Sequence, residues 1–419
     1  MTRYEKYKPT NIEWIGEIPE HWQVKKLKYI GEAIIGITYS PDDISDEENG
    51  LLVLRSSNIQ DGKLAFEDCV YVSKDVKEKH LTKEGDVLLC ARNGSAHLVG
   101  KSALIRKEHI NITWGAFMSI FRSSIGEFAY QFFNSQIFKS QTGLFATSTI
   151  NQLTTDTLNN LFVPLPLPEE QTDIANYLDE KTAQIDKLIA NKQRLIDLMI
   201  EEKKVLINES VTGKNKNWNT VKFNHYIRLR HGYQFMNYDF TSTGIKVVKI
   251  TQLSADGYLD LSEATYIDAT RLTEFEDILI NEGDILMALT GGTIGKIIRV
   301  GKVDEPLLQN YRVGNFFPAS PKITKDFIFW LLSSEHILSQ IFFEQRETGQ
   351  PNIGKENFNS FKIYLPSIEE QNQVVNFLNI ETQRIDSALT NIKKEIELIE
   401  EYKSSLISEV VTGKQKVVN

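Results

Sequence analysis

The sequence predicts an α+β protein in which two similar β-rich domains are separated by two long antiparallel coiled-coil helices. Three observations predict it: a long segment written twice, a heptad-like apolar seam within each copy, and short β-rich runs punctuated by turn residues in the stretches between. The boundaries that follow are a first domain at residues 1–167, a central helix at 168–214, a second domain at 215–366 and a C-terminal helix at 367–419.

The duplication comes first, because internal repeats decide organisation before any local pattern does. PLPLPEEQTDIANYLDEKTAQID, from Pro164, recurs as YLPSIEEQNQVVNFLNIETQRID, from Tyr364. Glu170 aligns with Glu370, Ile185 with Ile385, Asp186 with Asp386 and Gly213 with Gly413, all offset by 200 residues. Both copies end in VTGK, at Lys214 and Lys414. The preceding regions repeat more loosely. KEGDVLLCARNGS, from Lys83, matches NEGDILMALTGGT, from Asn281, and Gly100-Lys101 answers Gly295-Lys296, which implies three extra residues in the first copy. Trp22 has a counterpart in Trp218.

Pro164, Pro166 and Pro168 end a strand and introduce a helix, with Glu169 and Glu170 suited to its positive N-terminal end. No glycine or proline follows before Gly213. Leu178, Ile185, Ile189, Ile196, Met199 and Leu206 fall at three- and four-residue steps or their sums. So do Leu378, Ile385, Leu389, Ile392, Ile396, Ile399 and Leu406 in the second copy. A period near 3.5 is that of a coiled-coil seam, and about 40 residues make a rod on the order of 60 Å. An amphipathic helix packed on its own domain has a similar period. Two equally long copies, each following a globular unit, favour mutual pairing. Thr182, Lys203, Thr382 and Lys403 interrupt the seam, either to set register or, for the lysines, to reach past it into solvent.

Within the domains, LLVLRSSNI, GDVLLCA, IKVVKITQL and GDILMAL read as strands, and EFAYQFFNSQIFKS and DFIFWLLSSEHILSQIFF as helices, with a twisted or barrel-like sheet expected. With 41% hydrophobic and 25% charged residues, the chain has the composition of a soluble globular protein. No run of about 18 apolar residues suggests a membrane span, and the polar start MTRYEKYKPT lacks a signal-peptide core. Cys69 and Cys90 form no metal or disulfide pattern, which fits a reducing cytoplasm. The net charge is −9, and the two helical segments hold most of it: 10 acidic and 7 basic residues in one, 9 and 5 in the other. The domains are left nearly neutral, so composition neither requires nor excludes a nucleic-acid partner.

Catalytic signatures are weak. TGGTIG, from Thr290, lacks the spacing and βαβ context of a dinucleotide loop, and VTGK lacks the rest of a P-loop. Asp42, Asp61 and Lys63 have the loose spacing of a metal-dependent nuclease. Asp-Gly is more often a turn, and Asp256-Gly257-Tyr258 in the second copy has no lysine. No Asn-Pro-Pro-aromatic methyltransferase motif is present, and His97 and His231 read as ordinary histidines. The polar loops are better candidates for DNA contact. After each GDxLL strand come Arg92, Asn93 and Ser95 with Lys101, and Thr290 and Thr293 with Lys296. Arg55, Ser57 and Asn58 parallel Lys249, Thr251 and Gln252, while Arg228, Arg230 and Tyr233 form a basic–aromatic cluster. Such groups suit phosphates and base edges.

YKPTNIEWIGEIPEHWQVKKLKYIG, from Tyr7, resembles the N-terminal signature of type I restriction–modification specificity subunits, and the EEQ-led helices ending in VTGK and the GDxLL loops resemble their later regions. The resemblance spans essentially the whole chain. It implies two target-recognition domains, each reading half of a split site in double-stranded DNA. It also implies paired helices that fix the unread spacer and dock two methyltransferase subunits, with restriction subunits joining to translocate and cut. The chain itself would carry no catalytic residue, metal or cofactor; S-adenosylmethionine, ATP and Mg²⁺ would belong to its partners. Thr290 opposite Arg92 implies that the two halves are read differently.

Overall fold

A computed structural model of the chain describes residues 3–143, 151–214, 216–254, 257–348 and 352–417. The chain divides into two compact units, Met1–Lys192 with Lys393–Asn419, and Gln193–Ile392. The division falls inside both long helices, Pro168–Thr212 and Ile368–Val411, so each unit owns part of each helix.

The same strands build both units. In the first, an antiparallel sheet runs in the order Ser102–Leu104, Val87–Cys90, Met118–Ser123, Gly31–Ile35. In the second, Ile297–Arg299, Ile285–Ala288, Val313–Pro318 and Ile227–His231 take the same places. A second four-stranded sheet follows in each, and in each one pair is parallel: Thr113–Trp114 on Leu51–Leu54, and Leu307–Gln309 on Ile245–Val248. Two four-stranded sheets, joined by smaller two-stranded ones, thus make up the β-rich part of each unit. The strands of the GDxLL motif, Val87–Cys90 and Ile285–Ala288, are buried at every position. Covered on both faces, they read as continuous apolar runs without alternation.

Aspartates of the motif anchor those strands. Asp86, 2% exposed, accepts Nε and Nη2 of Arg122 at 2.8 and 2.7 Å and the Lys83 N–H at 2.8 Å. Asp284 accepts Asn315 Nδ2 at 2.7 Å, Lys325 Nζ at 3.2 Å and the Asn281 N–H at 3.0 Å. Behind the sheets lie aromatic cores: Phe121, Phe133 and Phe138 in the first unit, and Phe223, Phe316 and Phe358 in the second.

The helices pair within each unit. In the first, Asp186 bonds Lys403 at 2.5 Å and Lys192 bonds Glu395 at 2.5 Å, so one helix advances as the other retreats: they are antiparallel. In the second, Lys203 bonds both oxygens of Asp386, at 2.7 and 2.8 Å. The Asp–Lys pair is thus made twice, with the two repeats exchanging roles. Those lysines pair with the facing helix, whereas Thr182 and Thr382 bond back to the carbonyls of Leu178 and Leu378 in their own helices. All thirteen seam residues are buried or half-buried. The helix ends also pack on the domain cores, through Ile174, Leu178, Ile407 and Val410 in the first unit and Ile207, Val211, Val374 and Leu378 in the second. Both uses anticipated for the periodicity are therefore present. A double-mutant cycle of Asp186→Ala with Lys403→Ala should give a coupling of roughly 0.2–1 kcal/mol, shrinking as salt is added. No coupling at low salt would remove the pair's register role.

Three repeated letters meet at one corner of each unit. Trp22, fully buried, donates Nε1–H to Glu170 at 3.1 Å, and Tyr4 and His21 also bond that carboxylate. Burial and the Glu170 carboxylate hold the Tyr4 phenol above its ordinary value. Gly413 of the C-terminal VTGK sits at φ +72°, and a Cβ there would lie 2.5 Å from Pro19 and 3.1 Å from Trp22. In the second unit Trp218 donates to Glu370 at 3.1 Å, and a side chain on Gly213, at φ +64°, would run into its ring. Hydrogen bonds from Trp218 and Ser367 hold the Glu370 carboxyl below its usual range. The VTGK glycines thus end their helices in the left-handed conformation that glycine favours and leave room for the tryptophans.

Candidate nucleic-acid interface

The loops selected from sequence are drawn together by a turn that the sequence did not mark. In the first unit it is Trp114–Phe117. Ile37 N–H donates to the Trp114 carbonyl at 2.8 Å and Gly115 N–H to Leu54 at 3.0 Å. The N–H groups of Ala91 and Arg92 both donate to Phe117, at 2.9 Å. Three loops, at 36–40, 55–58 and 91–95, therefore meet on one turn. In the second unit Gln309–Arg312 does the same. Tyr233 N–H donates to Gln309 at 3.0 Å, Asn310 N–H to Val248 at 3.0 Å, and Leu289 N–H to Arg312 at 2.9 Å. Gly36 and Gly232 lie so close to this turn that a Cβ on either would strike its carbonyls.

Around the first turn, Arg92 is exposed, its guanidinium 5.3 Å from the ring of Phe117, itself 60% exposed. Asn93 ties two loops together, donating to Ser56 Oγ at 3.1 Å while accepting from the Ser95 N–H at 3.0 Å. Ser95 and Lys101 are exposed, and Ser57 is half-buried. Arg55 is already neutralised by Asp68 at 2.7 Å. Asn58 is fully buried: its amide accepts the Arg55 N–H at 2.8 Å and donates to the Ala65 and Asp68 carbonyls. Gln252 repeats that role, accepting the Lys249 N–H at 3.0 Å and donating to Glu263. These two amides hold their own loops and present no face to a ligand.

Around the second turn, Tyr233 is 47% exposed and packs on Phe235 and Phe275, each at 5.0 Å. Lys249 lies 4.1 Å from the Phe240 ring, where burial holds its ammonium below the ordinary value. Thr251 is exposed and Lys296 half-buried, whereas the hydroxyl oxygens of Thr290 and Thr293, expected to contact DNA, are turned inward and buried. Arg230 points inward, bonding Gln309 Oε1 at 3.2 Å and the Leu279 carbonyl at 2.8 Å, so it ties the sheet to the turn. Arg228 is exposed on the same strand, five residues before Tyr233, or about 16 Å along an extended chain. The structure does not bring it to the turn.

The nuclease pattern dissolves into local turns. Asp61 and Gly62, at φ +48° and +75°, form the two-residue loop between Ile59–Gln60 and Lys63–Leu64. Asp42 lies in the short turn Pro41–Asp43, and Asp256 is outside the described residues. Among the described residues no cluster of three or more His, Cys, Asp or Glu side chains is placed to hold a metal, and no helix is long and apolar enough to cross a membrane.

This duplicated, loop-bearing architecture has known counterparts. The family described as the type I restriction modification DNA specificity domain matches residues 19–197 and again 214–399. The chain belongs to this family. It is a specificity subunit, the non-catalytic DNA-recognition component of a type I restriction–modification system. Similar chains include the MjaVIII specificity subunit of Methanocaldococcus jannaschii, 26% identical over 96% of this chain and 95% of the relative. The EcoKI specificity subunit of Escherichia coli K12 is 23% identical over 86% of this chain and 82% of its own length. In fold, the specificity subunit resembles a chain from a structural study of type I R-M complex assembly and conformational transition, with a TM-score of 0.76 at 12% identity. That likeness covers 94% of this chain and 98% of the other. The HsdS subunit of Thermoanaerobacter tengcongensis aligns with a TM-score of 0.57 at 14% identity, over 95% and 98% of the two chains.

Proposed function

We propose that this specificity subunit reads a bipartite site in double-stranded DNA, one half with residues 1–167 and the other with residues 215–366. The observation that carries the reading is the loop-gathering turn built twice, at Trp114–Phe117 and Gln309–Arg312. Each assembles exposed or half-buried polar and basic groups from three loops beside the sheets, the arrangement a base reader needs. Contacts come from Arg92, Ser95 and Lys101 in one domain and Tyr233, Lys249, Thr251 and Lys296 in the other. Arg55, Asn58, Gln252 and Arg230 position those loops from beneath.

Residues 168–214 and 367–419 pair to fix the unread spacer and dock two methyltransferase subunits, with restriction subunits joining that core. The acidic excess of these helices suits protein partners better than phosphate. S-adenosylmethionine, ATP and Mg²⁺ serve those partners, and the chain needs no cofactor of its own. Two readers on one support bind the duplex with high effective concentration.

Exchanging residues 1–167 for the corresponding domain of another family member should change one half of the methylated motif and leave the other half and the spacer intact. The readout is genome-wide mapping of modified adenines in a host carrying the complex. An unchanged motif would contradict the reading.

A further inference from the structure

The two loop-gathering turns carry the same ingredients in exchanged places. The Gly100-Lys101 to Gly295-Lys296 alignment has an offset of 195 residues, and the same offset sets Phe117 against Arg312. Backbone bonding agrees: the Phe117 carbonyl accepts from Ala91, and the Arg312 carbonyl from Leu289. Arg92 and Thr290 also correspond, each forming a bridge with the segment before the last helix of its domain, at Gln152 and Asn352. The first unit therefore pairs arginine on the glycine loop with an aromatic on the turn. The second has threonine on the loop and arginine on the turn.

We propose that Arg312 is the specificity-determining arginine of the second domain, the counterpart in function of Arg92 in the first, which rests on the bipartite reading above. Arg312 is exposed. Its Nε donates to the Tyr311 hydroxyl at 2.7 Å, and its guanidinium lies 5.3 Å from that ring. The terminal amino groups have no hydrogen-bond or carboxylate partner among the described residues. A guanidinium held at Nε with its fork open is pre-oriented for two parallel bonds, the pattern presented by guanine O6 and N7 in the major groove. Arg92 likewise has no acidic partner among the described residues and rests on Phe117. In each half-site one guanidinium reads a guanine edge, carried by the glycine loop in one domain and by the turn in the other.

The test uses the full chain with its methyltransferase subunits, in a host lacking the nuclease subunit, and maps modified adenines genome-wide. Arg312→Ala should relax one position of one half-site and lower methylation of the original motif roughly tenfold or more. Arg92→Ala should do so in the other half, and co-purification should show the complex still assembled. The pair Thr290→Arg with Arg312→Phe, which transplants the first unit's arrangement, should recover methylation over Arg312→Phe alone. A purely structural role predicts no such rescue. An unaltered motif for Arg312→Ala, or uniform weakening with no relaxed position, overturns the inference while the bipartite reading stands. A domain exchange that leaves both halves unchanged would instead overturn that reading.

Discussion

Trp22→Ala should cost the first unit about 3–5 kcal/mol, the range for removing a fully buried tryptophan. Trp22 is 0% exposed and fills the corner between the N-terminal segment, the start of the central helix and Gly413. Its loss opens a cavity and strips a donor from Glu170, which would keep Tyr4 and His21 as its side-chain partners among the described residues. Trp218 makes the same bond to Glu370 but is only half-buried, so Trp218→Ala should cost roughly half as much. Calorimetry of the full chain and the two variants checks this. Equal losses, or a loss below about 1 kcal/mol for Trp22→Ala, would show that the corner does not anchor the first unit.

Asp86→Ala should cost roughly 2–4 kcal/mol, because it removes a carboxylate 2% exposed that bonds Arg122 twice and leaves the guanidinium, 23% exposed, with the Leu81 and Lys79 carbonyls. The change reaches the reading loop as well, since Val87–Cys90 leads directly into Arg92. Asp284→Ala should cost less: its carboxylate is 13% exposed and its partners are divided among Asn315, Lys325, a backbone N–H and, at 3.9 Å, Arg230. Denaturant titration separates the two. A larger loss at Asp284 than at Asp86 would contradict the role given to burial.

The helices were legible because packing on a partner imposes a period, and Leu178 through Leu406 display it without any knowledge of the partner. Lys203 and Lys403 looked like flaws in that period. Their partners, Asp386 and Asp186, lie about two hundred positions away. The corner shows the same limit. Trp22, Glu170 and Gly413 each stood out as repeated letters, yet no local pattern states that residues so far apart in sequence touch. The candidate site was the least legible part. Polar letters in a loop do not reveal whether they face inward, and Asn58, Gln252 and Arg230 are drawn in by backbone groups that want partners. Phe117 and Arg312 escaped notice because they are unlike each other. The 195-residue offset after Gly100 was the one signal that would have aligned them.

One chain is proposed to read two half-sites through two copies of one architecture. Modified adenines mapped across the genome of a host carrying the complete complex are the decisive readout. The expected result is a single motif made of two specified halves separated by a gap of fixed length and unspecified sequence. A continuous motif, or two halves that occur at freely varying distances, would contradict it.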